Sequence, residues 1–523
     1  MNRQEAAQEQ KLRNYFPWFG GLCLLYGALF AFCMYRNLFG CTFFIYTAAT
    51  VILLSVFLKK LGIILKKAVL FCFGGVLLCG AATCITGSAL LQWGNWCCAL
   101  CLLLAAMLEQ FRGLGGEPVF DGIRDGWHLF ADTLRCTAMP VKELRRRFLV
   151  RREEREAREE AGEIREDEWS RGKYIAAGLV AAAAAMCVLL PLLLSSDLVF
   201  RQLFVSLLET AAGGFQNMGD VLGAILTAVL GAFLLYGFFA AACRVAGEEK
   251  SEEKQPAEEA REQRKIAAGI AFAGTITAVY GIYVIIQAVC LFAGGGVLPE
   301  GVTYSEYARS GFWQLTAVAV LNVLLVLACS QMFKQNRALR ILLLAICACT
   351  FVMIASAAFR LALYVAVYRL TFLRLLAFWG LGILTVAMAG VAVSICRTSF
   401  PLFRYLTAVA ACGYLAFVLS GPDYQVADYN VSCDSSMTQQ ELEYLLHGLS
   451  WDAASVIAGI DIDRIAGTDD DVTRAEVRWA MYYYFQNIVN SQERMDFRQI
   501  SISDVSARDA AFAYLSNHDP ALG

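Results

Sequence analysis

The sequence predicts an all-α, polytopic membrane protein with about eleven transmembrane helices and a small helical C-terminal soluble domain. Three observations carry this. Of 523 residues, 58% are hydrophobic and only 17% are charged, against about 25% charged in ordinary soluble domains. Mean hydropathy is +0.53. The apolar residues fall in blocks of roughly 18–25, the length that crosses a ~30 Å hydrocarbon core at ~1.5 Å per residue.

The blocks lie near 16–35, 41–58, 68–87, 91–108, 173–194, 219–243, 266–293, 312–332, 341–363, 372–395 and 403–420. Each is expected to be a helix. Backbone groups in lipid must pair within the segment, and the blocks are too long and too little alternating for barrel strands. The first block has no small-residue cleavage site behind it and is expected to span rather than to be removed.

The loops orient the chain. Lys and Arg crowd alternate connections: Arg3, Lys11 and Arg13, then "KKLGIILKK" (59–67), 109–172, 244–265, "KQNRALR" (334–340), and Arg397 with Arg404. The positive-inside rule then puts the N-terminus in the cytoplasm. Eleven crossings put the C-terminus outside.

Six regions follow. Residues 1–108 form a four-helix transmembrane region and 109–172 a charged cytoplasmic helical segment. Residues 173–246 hold two spans, with 196–218, too polar to cross comfortably, as a short outside interfacial helix. A flexible linker is expected at 247–265. Residues 266–420 form a five-helix transmembrane region. The last, 421–523, contains no lysine and is an acidic, extracytoplasmic helical domain. Thr438 with Glu441, and Thr473 with Glu476, have the spacing of capping boxes.

In 109–172, Arg and Glu alternate at i,i+3 and i,i+4, the pattern of a solvated, ion-paired helix. Arg145, Arg146, Arg147, Arg151 and Arg152 in "RRRFLVRR" are candidates for contact with anionic lipid headgroups. The glutamates that follow cancel the field a nucleic acid would need, so no nucleic-acid partner is expected. The 19 cysteines lie mostly inside apolar blocks, and the chain has three histidines. Cysteine therefore reads as a small packing residue, Cys98 and Cys101 included, and neither metal nor cofactor is expected. "DIDRIAGTDDD" (461–471) lacks the glycine and closing glutamate of a calcium loop.

Two polar clusters sit at the mouths of apolar blocks. In "TYSEYARSGFWQL" (303–315), Glu306, Arg309 and Trp313 share one helical face, with Gln314 beside them. In "FRLALYVAVYRLTFLR" (359–374), Arg360, Tyr364 and Tyr368 recur every four residues, and Arg374 follows. A charge in hydrocarbon costs a few kcal/mol unless paired or hydrated. Glu306 is therefore the candidate partner of Arg360, and the eight residues form a candidate binding site. Snorkelling side chains, each acting alone, are the bland alternative.

These two stretches, with "ADYNVS" and "ELEYLLHGLSWDAASVI", resemble the back half of a bacterial integral-membrane family, domain of unknown function 4173, in a wider group with family 4153. The similarity runs over roughly 170–460. The family's Tyr-x-Glu-Tyr-x-Arg-x-Gly-Phe-Trp run corresponds to Tyr304 through Trp313. Its Arg-Leu-x-Leu-Tyr…Tyr-x-Leu-Thr-x-Leu-Arg run corresponds to Arg360 through Arg374. Members often carry glycine where this chain has Arg369. The resemblance implies a bacterial inner-membrane protein and supplies no activity. Three classes stay open: a transporter or lipid-handling permease with its site at the outer ends of the eighth and ninth spans, a sensor or assembly partner whose outer C-terminal domain binds a ligand or protein, and a membrane-embedded enzyme. Membrane lipids are expected partners in each.

Overall fold

Long apolar runs have one low-energy solution in lipid, the α-helix, and the described apolar runs adopt it. The structure is a computed structural model. It describes residues 16–37, 40–113, 115, 118–160, 198–245, 259–288, 304–333, 336–397, 399–433, 437–462, 465 and 471–518. Within these, only the backbone is described for 16–17, 151, 154–160, 198–219, 259–266, 288, 304–311 and 471.

The α-helices run in chain order: α1 Phe16–Met34, α2 Thr42–Lys60, α3 Lys67–Ile85, α4 Ala89–Phe111, α5 Val119–Cys136, α6 Met139–Glu160, α7 Leu198–Val245, α8 Glu259–Ala288, α9 Tyr304–Met332, α10 Arg337–Tyr368, α11 Phe372–Cys396 and α12 Leu402–Leu419. Then come α13 Pro422–Ser432, α14 Gln439–His447, a short 3₁₀ turn Trp451–Ala453, α15 Ala454–Ile457, α16 Asp471–Gln492 and α17 Ile502–Asn517. Among the described residues there is no strand, only an isolated bridge between Met437 and Ile465.

Nine of these helices are long and apolar enough to cross a membrane, counted over the described residues. They match nine of the eleven expected spans. The first expected span is helix α1, whose described apolar part is Trp18–Met34. The span at 173–194 lies outside the described residues.

Three expectations change. The described part of the expected interfacial helix 196–218, from Leu198 on, is not a separate short helix: α7 runs unbroken for 48 residues, about 72 Å. Glycines in "TAAGGFQNMGD" cost about 1 kcal/mol each in a helix, far less than the ~3 kcal/mol of a proline, and none of those eleven residues is proline. Residues 259–265 of the expected linker are the first turns of α8, while the remainder, 247–258, falls outside the described residues. Thr473 does not open a helix, because it lies inside α16, described from Asp471 onward. The capping box at Thr438–Glu441 forms in full, and a second forms at Ser501–Asp504.

The chain divides into two compact units, one of Asn37–Phe130 with Arg244–Gly523, the other of Ala6–Arg36 with Ala131–Cys243. In the first unit, α8 to α12 pack around two apolar clusters. One is centred on Leu343, Ile346, Met388 and Val391, the other on Phe312, Ala319, Met353 and Leu381. Its C-terminal helices α13 to α17 enclose their own core, with Leu445, Ile457, Met481, Phe485 and Ile488 fully buried. That core draws its buried residues from Ala427 to Tyr514.

In the second unit, α1 and α7 run antiparallel. Phe19 packs edge-on against Phe239 at 6.0 Å. Tyr35, at the other end of α1, donates to Asp220 at 3.4 Å. Gly27 sits so close to α7 that a Cβ there would lie 2.2 Å from the Ala228 carbonyl oxygen. A small residue at the crossing is what lets two membrane helices approach.

Candidate functional site

The two ends of the first unit differ chemically. At one end stand Lys59, Lys60, Lys66 and Lys67 around the α2–α3 turn. Arg404 at the start of α12 pairs there with the buried carboxylate of Glu109, whose backbone carbonyl accepts from Lys66 Nζ at 2.8 Å. At the opposite end, the C-terminal domain is tied to the helix turns by side chains that reach across hundreds of residues.

Asp452 is the centre of that docking. Its carboxylate accepts from the Thr86 hydroxyl at 2.6 Å, from the Gly87 backbone N–H at 2.7 Å, and from the Ser503 hydroxyl. The α3–α4 turn thus offers an anion two donors at once. Asn37 Nδ2 donates to the Arg498 carbonyl at 3.2 Å and Cys41 Sγ to the Ile500 carbonyl at 3.0 Å. Gly40, at φ +113°, is a position only glycine fills: a Cβ would stand 2.4 Å from that same Arg498 oxygen.

The α10–α11 turn is gripped next to it. Asn430, in "ADYNVS", is buried and makes a paired contact with Leu370. Its Oδ1 accepts from the Leu370 N–H at 2.9 Å, and its Nδ2 donates to the Leu370 carbonyl at 2.8 Å. The Tyr444 hydroxyl accepts from the Phe372 N–H at 2.8 Å. Glu441 closes its capping box and also meets Arg369 Nε at 3.4 Å. Arg369 has φ +65° and ψ 173°, a region essentially reserved for glycine. Asp423 accepts from the Ser450 hydroxyl at 2.5 Å. Burial, and secondarily the charge of Asp452, raise the Asp423 carboxyl above its ordinary value despite that hydrogen bond.

Between domain and helix ends lies a cavity of about 370 Å³, lined by Asn37, Gln92, Ser450, Trp451, Gln499 and Asp504 among others. Its lining mixes these polar groups with Ala89, Leu449 and Met495, and carries one aromatic face and one carboxylate. Below Gln92, neutral hydrogen bonds occupy the apolar layer in two separate sets. Gln92 donates to the Thr86 carbonyl at 2.8 Å, fully buried Asn95 donates to Thr83 at 2.9 Å, and the Tyr414 hydroxyl meets Leu91 O and Asn95 Oδ1 at 2.9 and 3.0 Å.

A second polar column crosses α8, α9 and α10. The Tyr280 hydroxyl donates to Asn322 at 2.6 Å and Asn322 donates to Thr350 at 2.9 Å. Farther along, Gln287 Oε1 accepts from Ser356 at 3.0 Å and from Arg360 Nη2 at 3.5 Å. Arg360 is only 7% exposed.

Of the candidate residues read from the sequence, Arg360 is thus buried inside the bundle, while Trp313 is 59% exposed and Gln314 is exposed on α9. Tyr364 stacks under the Arg374 guanidinium at 4.2 Å and beside Tyr368 at 5.1 Å. Arg374 also donates to the Tyr368 carbonyl at 2.6 Å, so these three form one cluster at the α10–α11 turn. The side chains of Glu306 and Arg309 lie outside the described residues. Gln287, Asn322, Asn95 and Asp452 were not singled out from the sequence. For the first three a signal existed: an amide inside an apolar run is rare enough to mark. Among the described residues no group of three His, Cys, Asp or Glu side chains is arranged to hold a metal.

The sequence matches the family described as domain of unknown function (DUF4153) over residues 71–460. The chain belongs to that family. The match begins about a hundred residues earlier than the motifs alone indicated, in α3, and it takes in both polar columns and the docking contacts of Asn430, Tyr444 and Asp452. The narrower assignment to family 4173 is not what matches. Comparison with curated proteins and with solved structures returned no match.

Proposed function

We propose that this DUF4153 protein is a membrane sensor of a small polar solute, which binds in the cavity between the C-terminal domain and the ends of the transmembrane helices. The single observation that carries this is the cavity's placement. Gln92 and the α3–α4 turn line or adjoin it, and on the same helix α4 the next turn carries Asn95, which Thr83 and Tyr414 hold inside the apolar layer. An occupant that shifts the domain therefore acts on membrane helices directly. The named lining residues carry one carboxylate and no cation, so a neutral or cationic solute suits it, with a flat face against Trp451.

The sidedness of this reading follows from the Lys/Arg-rich end facing the cytoplasm, in a bacterial inner membrane, with the C-terminal domain outside. Cys433 reports on it. A membrane-impermeant maleimide labels Cys433 in intact cells with a permeabilised outer barrier; labelling only after lysis contradicts the orientation.

The experiment for sensing is a thermal-shift screen of sugars, amino acids and polyamines on the full chain, followed by uptake into proteoliposomes. A solute present at a hundred times its Kd stabilises by about 2.7 kcal/mol. The expected hit stabilises the wild type, not Trp451→Ala, and is not taken up. Uptake of the hit favours the second reading, a permease. That reading rests on the buried guanidinium of Arg360 in the α8–α9–α10 column, because intramembrane charges mark solute or proton paths.

A further inference from the structure

The second unit carries a cavity of its own, about 490 Å³, between α1, α6 and α7, within the range of small-molecule sites. Gly21, Leu144, Phe148, Phe233 and Tyr236 line it, and Arg147 stands in its wall. We propose that this groove seats an anionic phospholipid, with one acyl chain against α1 and α7 and the phosphate on the basic face of α6.

Depth comes first. The antiparallel pairing of α1 with α7 puts the start of α1 beside the last turns of α7. The groove lies at that level, on helices apolar enough to meet hydrocarbon. An apolar slot at that depth is filled by an apolar chain. The chemistry of α6 selects the headgroup. Leu144 and Phe148 are 58% and 60% exposed, yet they alternate with Lys142, Arg145, Arg146 and Arg147. Large exposed apolar side chains interleaved with cations are costly in water and favourable at a lipid surface. From Met139 to Phe148 the helix carries these four cations and one carboxylate, Glu143. Glu143 sits 3.5 Å from Arg147 Nε, so it holds that guanidinium in place at the groove while the net charge stays strongly positive. Basic pockets beside transmembrane helices attract anionic headgroups at about 1 kcal/mol per cation near the surface.

Gly21 makes the proposal testable without unfolding the protein. A Cβ at Gly21 would meet no atom within 4 Å, so Gly21→Leu grows into open groove and removes no packing. Full-length protein in mild detergent is titrated with dioleoyl-phosphatidylglycerol or dioleoyl-phosphatidylcholine and read by native mass spectrometry, with melting temperatures confirming each variant is folded. The expected result is one retained lipid per chain and about tenfold preference for the glycerol headgroup. Gly21→Leu loses the retained lipid. Arg147→Gln keeps it but loses most of the preference. Equal retention of both lipids by the wild type, or undiminished retention by Gly21→Leu, overturns the proposal. So does displacement of the lipid by inorganic phosphate alone, which would mean an anion site with no acyl seat.

Discussion

The two polar columns of the first unit are built from similar parts and differ in one respect. The column on α3, α4 and α12 is neutral from Thr83 to Tyr414, and its charge, Asp452, stands outside the apolar layer in the docked domain. The column on α8, α9 and α10 has a neutral middle at Tyr280, Asn322 and Thr350, but it ends on a guanidinium buried within a helix. Neutral networks in a bilayer contribute little each, about 0.6 kcal/mol per bond, and serve to fix one geometry. A buried charge is different, because removing its partner leaves it uncompensated at several kcal/mol. The first column therefore fixes helix geometry below the cavity, and the second holds a permanent charge inside the bundle.

The largest effect is expected at Asp452. Asp452→Leu leaves the Thr86 and Ser503 hydroxyls and the Gly87 N–H without their acceptor, for a loss of about 3 kcal/mol. Limited trypsin digestion is expected to cut after Arg498 faster, because the Asn37 and Cys41 contacts to that segment loosen with the docking. Unchanged digestion would make the docking contacts incidental and remove the contrast between the columns.

Next comes Arg360. Arg360→Ala is expected to destabilise the protein by about 2 kcal/mol in detergent, and the double change with Glu306→Ala by less, if the two charges pair across α9 and α10. Additivity within about 0.5 kcal/mol would end the pairing and leave Gln287 as an acceptor for Arg360.

Arg369 sharpens the comparison at the α10–α11 turn. Its left-handed backbone costs about 1–3 kcal/mol for a residue with a Cβ, against a partly buried ion pair with Glu441. Arg369→Ala is expected to lose about 1 kcal/mol, while Arg369→Gly stays level with or above the wild type in melting temperature. If both variants melt alike, the turn is not strained.

The smallest effect is at Asp423. Its folded-state pKa is raised by burial above the unfolded value. The folded state therefore binds the proton more tightly, and the associated stability is complete below the unfolded pKa and lost as pH rises through the folded one. Relative to Asp423→Asn, the wild type is expected to gain stability as pH falls from 7 toward about 4. A flat difference would place Asp423 in a solvated setting.

The spans were legible because hydropathy over twenty residues is a strong, local signal, and backbone pairing in lipid leaves helix as the sole outcome. The capping box at Thr438 was legible for the same reason of locality. Arg360 could be found from sequence because a charge in an apolar run stands out. The docking site could not. Asp452 and Thr86 are 366 residues apart, and Asn430 and Leu370 are 60 apart. Each is an ordinary polar residue in a turn or short helix, with no spacing to mark it. Thr473 misled because the S/T-x-x-E pattern also fits inside a helix whose start is set upstream. Arg369 lay between these cases: the resemblance marked the turn as a point of difference, and the positive φ of Arg369 appeared only in the structure.

The most direct test of the account is whether the C-terminal domain and the helix ends form one body through Asp452. A double-mutant cycle of Thr86→Val and Asp452→Asn, measured as thermal stability of the full chain in detergent, isolates that contact. The account predicts a coupling energy of about 1–2 kcal/mol, with each single change weakening solute stabilisation at the cavity. Additive effects within about 0.5 kcal/mol would contradict it.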